Sequence, residues 1–177
     1  LSIRRQRQMC IRDRIISTYN NPAWLEKTLW GYLCQDRMAD EIIIADDGSG
    51  EETRMLIERY KKLLPIKHVW HEDDGFRKTV ILNKAIVAAT ADYLVFTDQD
   101  CVPRHDFLAV HNLMAKKGFF LSGGYFKLPL SISKALQEED VRDRQAFSLA
   151  WLRKQGLPFN FKCTKFCLLY TSDAADE

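Results

Sequence analysis

No Gly-x-Gly-x-x-Gly run follows the first strand-like segment of this sequence, which argues against a dinucleotide-binding oxidoreductase. Nor is there the glycine-rich phosphate loop with which a nucleotidyltransferase usually announces itself. Cys-x-x-Cys pairs are absent too. The five cysteines, Cys10, Cys34, Cys101, Cys163 and Cys167, are odd in number and scattered, so zinc or dithiol chemistry is not indicated and the thiols are read as reduced. No apolar run approaches the roughly 18 residues that cross a bilayer. No apolar h-region follows the basic N-terminus, so the default expectation is a cytoplasmic protein without a transmembrane segment. The net charge of +2 is too small to argue for nucleic acid as a partner.

What is present is 177 residues that are 46% hydrophobic, enough for one globular core. The two ends stand apart. Residues 1–14 hold five arginines against one aspartate and show neither strand alternation nor a helical apolar face. Residues 167–177 match nothing before them. Both resemble translated sequencing-adapter read-through, so the domain is expected to span 15–166 between two non-native extensions.

Within that span, β-branched apolar runs alternate with segments of helical period, the pattern of an α/β fold with a mostly parallel sheet flanked by helices. Ile15-Ile16-Ser17-Thr18 ends a first strand. Asn21-Pro22 then supplies a cap and a proline at the first helical position, ahead of Leu25, Leu29, Tyr32 and Leu33. A buried strand over 41–45 leads to the turn Asp46-Asp47-Gly48-Ser49-Gly50 and a second helix that Pro65 stops. A third strand over 66–70, a polar loop and a helix with Leu82, Ala85, Ile86 and Ala89 inward come next. The fourth strand, 93–97, runs into Asp98-Gln99-Asp100. Phe107, Val110 and Met114 mark the inner face of another helix, Phe119-Phe120-Leu121 a further strand, and 133–155 one long amphipathic helix.

Ligands of an open α/β sheet bind outside the carboxyl ends of its strands, so the polar clusters there are the first candidates for a site. Three occur: Thr18-Tyr19-Asn20, Asp46-Asp47-Gly48-Ser49 and Asp98-Gln99-Asp100. Two carboxylates one residue apart at a strand end can face one hard cation, which in turn binds diphosphate oxygens. An isolated Asp-x-Asp is more often a solvated turn, and an Asp-Asp-Gly more often an ordinary turn, so each cluster alone carries little. His68, His71, His105 and His111 lack ligand spacing and are not assigned to a metal.

In combination, Ile15-Ile16-Ser17-Thr18-Tyr19-Asn20, Ala45-Asp46-Asp47-Gly48-Ser49 and Asp98-Gln99-Asp100 resemble family 2 glycosyltransferases of GT-A fold. The stretches Glu72-Asp73-Asp74-Gly75-Phe76-Arg77 and Asn83-Lys84-Ala85-Ile86 are similar to the bacterial branch of chondroitin-polymerase-like galactosyl and N-acetylgalactosaminyl transferases. The resemblance covers about 15–165. It implies a UDP-sugar donor, a glycan or other hydroxyl acceptor, inversion, and Mn²⁺ or Mg²⁺ as cofactor. It places Thr18, Tyr19, Asn20, Asp46 and Asp47 around uracil and ribose. Gly75, Phe76, Arg77, Asn83 and Lys84 would lie toward the diphosphate or sugar, Asp98 and Gln99 against ribose or sugar, and Asp100 on the metal. The family's general base lies in a later acidic segment that no residue of this sequence matches, so the catalytic residue is unknown, and the alternatives are a donor-binding fragment without turnover or a nucleotidyltransferase. Relatives that build surface polysaccharide imply peripheral association with the inner face of the membrane, although no amphipathic basic helix points there.

Overall fold

The computed structural model describes residues 13–159; residues 1–12 and 160–177, with most of both expected extensions and Cys10, Cys163 and Cys167, lie outside the described residues. Four strands, β1 (Asp13–Thr18), β2 (Glu41–Asp46), β3 (Ile66–Trp70) and β4 (Leu94–Asp98), form one parallel sheet in the order β3-β2-β1-β4. Parallel neighbours need a crossover. Here α1 (Pro22–Leu33), α2 (Glu51–Tyr60) and α3 (Lys78–Ala88) supply the three crossovers.

Strand period decides the two cores. Ile16, Ile42 and Ile44 point to one face, where Leu25, Leu29 and Tyr32 of α1 and Leu56, Ile57 and Tyr60 of α2 bury them. Ile15, Ile43 and Ala45 point to the other, where Ile81 and Ala85 of α3 pack. The order runs outward from β1 to β3 and then returns to β4 on the far side of β1, so a right-handed connection carries α3 to the opposite face from α1 and α2. That reversal makes a crevice between the carboxyl ends of β1 and β4, the switch point at which such sheets bind ligands.

Several expectations need correction. The first strand begins at Asp13, so Asp13 and Arg14 belong to the ladder beside Glu41 and Ile42, two residues ahead of the expected domain start. Asp13 Oδ2 accepts from the backbone of Thr90 (2.5 Å) and Ala91 (2.8 Å), tying β1 to the turn before β4. Residues 119–121 form no strand. A strand exists only where its backbone finds a ladder, and the outer edge of β4 has no partner among the described residues. On α3 it is Ile81, not Ile86, that faces the core, and α4 (Phe107–Met114) buries Leu108 and His111 while leaving Met114 exposed.

The expected long helix is broken into α5 (Leu130–Ala135), α6 (Glu138–Arg142), a 3-10 turn (Gln145–Phe147) and α7 (Leu149–Lys154). Gln137 restarts the chain through a reciprocal capping box with Asp140, and Arg144 takes a left-handed conformation at φ 63°. These pieces dock on α1: Leu136, Val141 and Ala146 meet Trp30 and Cys34, and Lys27 Nζ donates to the carbonyls of Lys134 and Leu136. Among the described residues no helix is long and apolar enough to cross a membrane.

Candidate functional site

The crevice is closed at its base by hydrogen bonds between the ends of β1 and β4. Ser17 Oγ donates to Asp98 Oδ1 at 2.6 Å, on the α3 face. Thr18 Oγ1 donates to Gln99 Oε1 at 2.6 Å, and the Tyr19 backbone N–H donates to the same oxygen at 3.1 Å. Thr28 of α1 adds a hydrogen bond to the Gln99 carbonyl at 2.7 Å. Thr18 and Gln99 are therefore spent on joining two strands. Ser17, absent from the sequence-derived candidates, orients Asp98.

The turn after β2 is held in the same way from β3. Asp46 Oδ1 accepts from Ser49 N and Oδ2 from His68 Nε2, both at 2.8 Å, and its side chain is 1% exposed. Asp47 Oδ1 pairs with His71 Nε2 at 2.7 Å, its Oδ2 accepts from the Arg77 backbone at 3.0 Å, and its side chain is 7% exposed. Lys84 Nζ stands 3.3 Å from His71 Nδ1. An ammonium has only protons to give, so this contact makes Nδ1 an acceptor and leaves Nε2–H for Asp47. His68 and His71 thus serve the site by locking its two aspartates. The signal was the strand register, which sets His68 beside Ile44, on the same face as Asp46.

Gly48 is required twice over. Its φ is 94°, and a Cβ there would lie 2.6 Å from Asp73 Cα, so only glycine lets the loop of 71–77 close onto the β2 turn. Asn20, left-handed at φ 43°, donates its backbone N–H to Ser49 Oγ (2.9 Å) and accepts from Gly50 N (2.8 Å), joining the β1 and β2 turns. Tyr19 Oη donates to Asp73 Oδ2 at 3.0 Å, bridging the mouth.

The remaining candidates are placed unevenly. Gly75 turns the loop at φ 74°, and Phe76 projects into solvent at 89% exposure. The Arg77 guanidinium pairs with Asp74 at 2.7 Å rather than entering the crevice. Asn83 is exposed on α3, and no hydrogen bond ties it to the crevice residues. Lys78, which was not a candidate, reaches Asp98 Oδ1 at 2.6 Å. Asp100 is exposed beyond β4, its one neighbour of note being the Cys101 thiol at 3.7 Å.

Residues 14–119 match the family described as Glycosyl transferase family 2. The chain belongs to this family. It is 38% identical over 87 residues to validoxylamine A glucosyltransferase of Streptomyces hygroscopicus subsp. limoneus, covering 48% of this chain and 19% of that protein. Hyaluronan synthase of Pasteurella multocida is 32% identical over 117 residues, covering 66% and 12%, and chondroitin synthase of Escherichia coli 34% over 90 residues, covering 50% and 13%. The chain therefore spans between 12% and 19% of the length of these relatives. Among solved structures, S. aureus TarS 1–349 shares the fold with a TM-score of 0.55 at 22% identity, over 68% of this chain and 39% of that one. The sheet and its helices are thus those of a GT-A glycosyltransferase.

Partial burial works against ionisation of Asp98, but the hydrogen bonds from Lys78 and Ser17 and the ammonium charge together outweigh it, and the carboxyl titrates below its usual range. Asp100 lies two residues on, open to solvent. No group of three or more His, Cys, Asp or Glu among the described residues could cage a metal. A cation here would have to take its remaining ligands from water and a bound phosphate. That suits Mg²⁺ or Mn²⁺, which bind through one or two carboxylates plus substrate oxygens.

Proposed function

We propose that this chain forms the donor-binding part of an inverting glycosyltransferase that moves a sugar from a UDP-sugar to a hydroxyl of a glycan acceptor. The observation that carries the reading is the reversal of strand order between β1 and β4, with Asp98 ending β4 and Asp100 two residues beyond it, in a family 2 chain. The Tyr19 mouth and the Asp46 and Asp47 turn wall the uracil and ribose. Asp98 orients hydroxyls of ribose or sugar, and Asp100 holds Mn²⁺ or Mg²⁺.

In the transfer, the acceptor oxygen attacks the anomeric carbon, the bond from that carbon to the UDP oxygen breaks on the opposite side, and the acceptor proton passes to a base. None of the described residues is assigned as that base. Asp100 would hold the cation, which would supply Lewis acidity toward the departing diphosphate. The chain's own residues bind and orient the donor: Ser17 aims Asp98, and His71 fixes Asp47 beneath the Arg77 backbone. The likeness to relatives named hyaluronan synthase and chondroitin synthase supports a glycan as the acceptor.

Calorimetric titration with Mn²⁺ present tests the donor class. UDP should bind and ADP should bind at least about tenfold more weakly, a difference of ~1.4 kcal/mol. Equal binding of the two, or none of either to folded protein, would contradict a uridine-diphosphate site.

A further inference from the structure

The segment after the third strand carries three cations, Arg77, Lys78 and Lys84, and the structure separates their roles. Arg77 pairs with the exposed Asp74 at 2.7 Å, and Lys84 stands 3.3 Å from His71. Lys78 alone of the three touches the crevice, 2.6 Å from Asp98 Oδ1, the oxygen that Ser17 also holds. Neither partner of this ion pair is buried: the Lys78 side chain is 38% exposed and that of Asp98 54%. A half-exposed pair is weak and readily exchanged for a more highly charged partner.

We propose that Lys78 is a diphosphate-binding residue, kept on Asp98 in the free protein and released to phosphate oxygens when the donor enters. This deepens the donor-site reading and rests on it. The exchange serves two purposes. While the site is empty, the ammonium neutralises a carboxylate that would otherwise repel an anionic donor. When the ammonium moves to the diphosphate, Asp98 Oδ1 becomes free to accept from a hydroxyl of ribose or sugar while Ser17 keeps it aimed. Lysine suits the role because it binds phosphate as a point charge on a flexible stem and can swing between two anions.

The test is titration of the full chain, in Mn²⁺, with UDP and with uridine, for wild type, Lys78→Met and Lys78→Arg. Lys78→Met should weaken UDP by about tenfold or more, as expected for loss of a charged hydrogen bond, and should not weaken uridine, which has no diphosphate for Lys78 to hold. Lys78→Arg should restore most of the loss, and it stands in should the methionine variant not fold. Unchanged UDP binding in Lys78→Met would overturn the inference while leaving the donor site standing. Equal weakening of UDP and uridine would also overturn it, since that is the mark of a structural role. Wild type that binds neither ligand would sink the donor site itself and this inference with it.

Discussion

His71 joins three segments through one ring: Asp47 after β2, its own place after β3, and Lys84 on α3. Replacing it by phenylalanine would leave the buried Asp47 carboxylate with one donor fewer, a loss on the order of 1–3 kcal/mol. Urea unfolding checks this; a change below about 0.5 kcal/mol, the level of an ordinary surface substitution, would mean that the His71–Asp47 pair does not hold the site. His111 makes a second prediction. Burial, and then the nearby Arg14 charge, lower its pKa to about 4 from the usual 6.5. Its neighbours are Tyr93, whose hydroxyl lies 3.3 Å from Nδ1, and Phe107, packed edge-on at 4.7 Å. Between those two values the unfolded chain binds a proton that the folded one refuses. Stability should therefore fall as pH drops from about 6.5 toward about 4, by up to about 3 kcal/mol. Denaturant midpoints against pH for wild type and His111→Asn would show it: the variant should lose that part of the slope, and identical slopes would contradict it.

Among secondary-structure elements, Gly48→Ala tests how the β2 turn meets the loop of 71–77. It forces a side chain into a left-handed backbone and against Asp73, so it should destabilise by about 2 kcal/mol or more. A thermal midpoint unchanged from wild type would count against that packing. The four strands and first three helices were legible because β-branched apolar runs alternate with longer helical segments and punctuating turns, Pro22 and Gly48 among them. Residues 119–121 misled because strand identity depends on a ladder partner far away in sequence. The break of the expected long helix at Gln137 did leave a local trace, the Gln137-x-x-Asp140 spacing, but amphipathic period outweighed it. For the site, the three strand-end clusters were readable from position alone. Ser17, His68, His71 and Lys78 were not, because their partners lie on neighbouring elements, 81, 22, 24 and 20 residues away.

The whole molecule is a sheet whose active edge is set by topology. Because all four strands run parallel, the candidate carboxylates at their carboxyl ends share one edge of the sheet, and the reversal of strand order at β1 sets the crevice there. Among the described residues β4 lies at the sheet's margin, with Phe96 half exposed, and α3 shows Val87 at 86% exposure on its outer side. Unpaired edges and exposed apolar groups favour association between copies. Sedimentation should show concentration-dependent self-association, and a monomer at all concentrations would contradict it.

On the proposed reading, the crevice binds a nucleoside diphosphate through a metal on Asp100. The most direct test is calorimetric titration of UDP into wild type and Asp100→Ala, each with and without Mn²⁺. Binding that Mn²⁺ strengthens in wild type and not in the variant is the predicted result. Binding with the same Mn²⁺ dependence in both proteins would take the metal away from Asp100 and contradict this reading of the site.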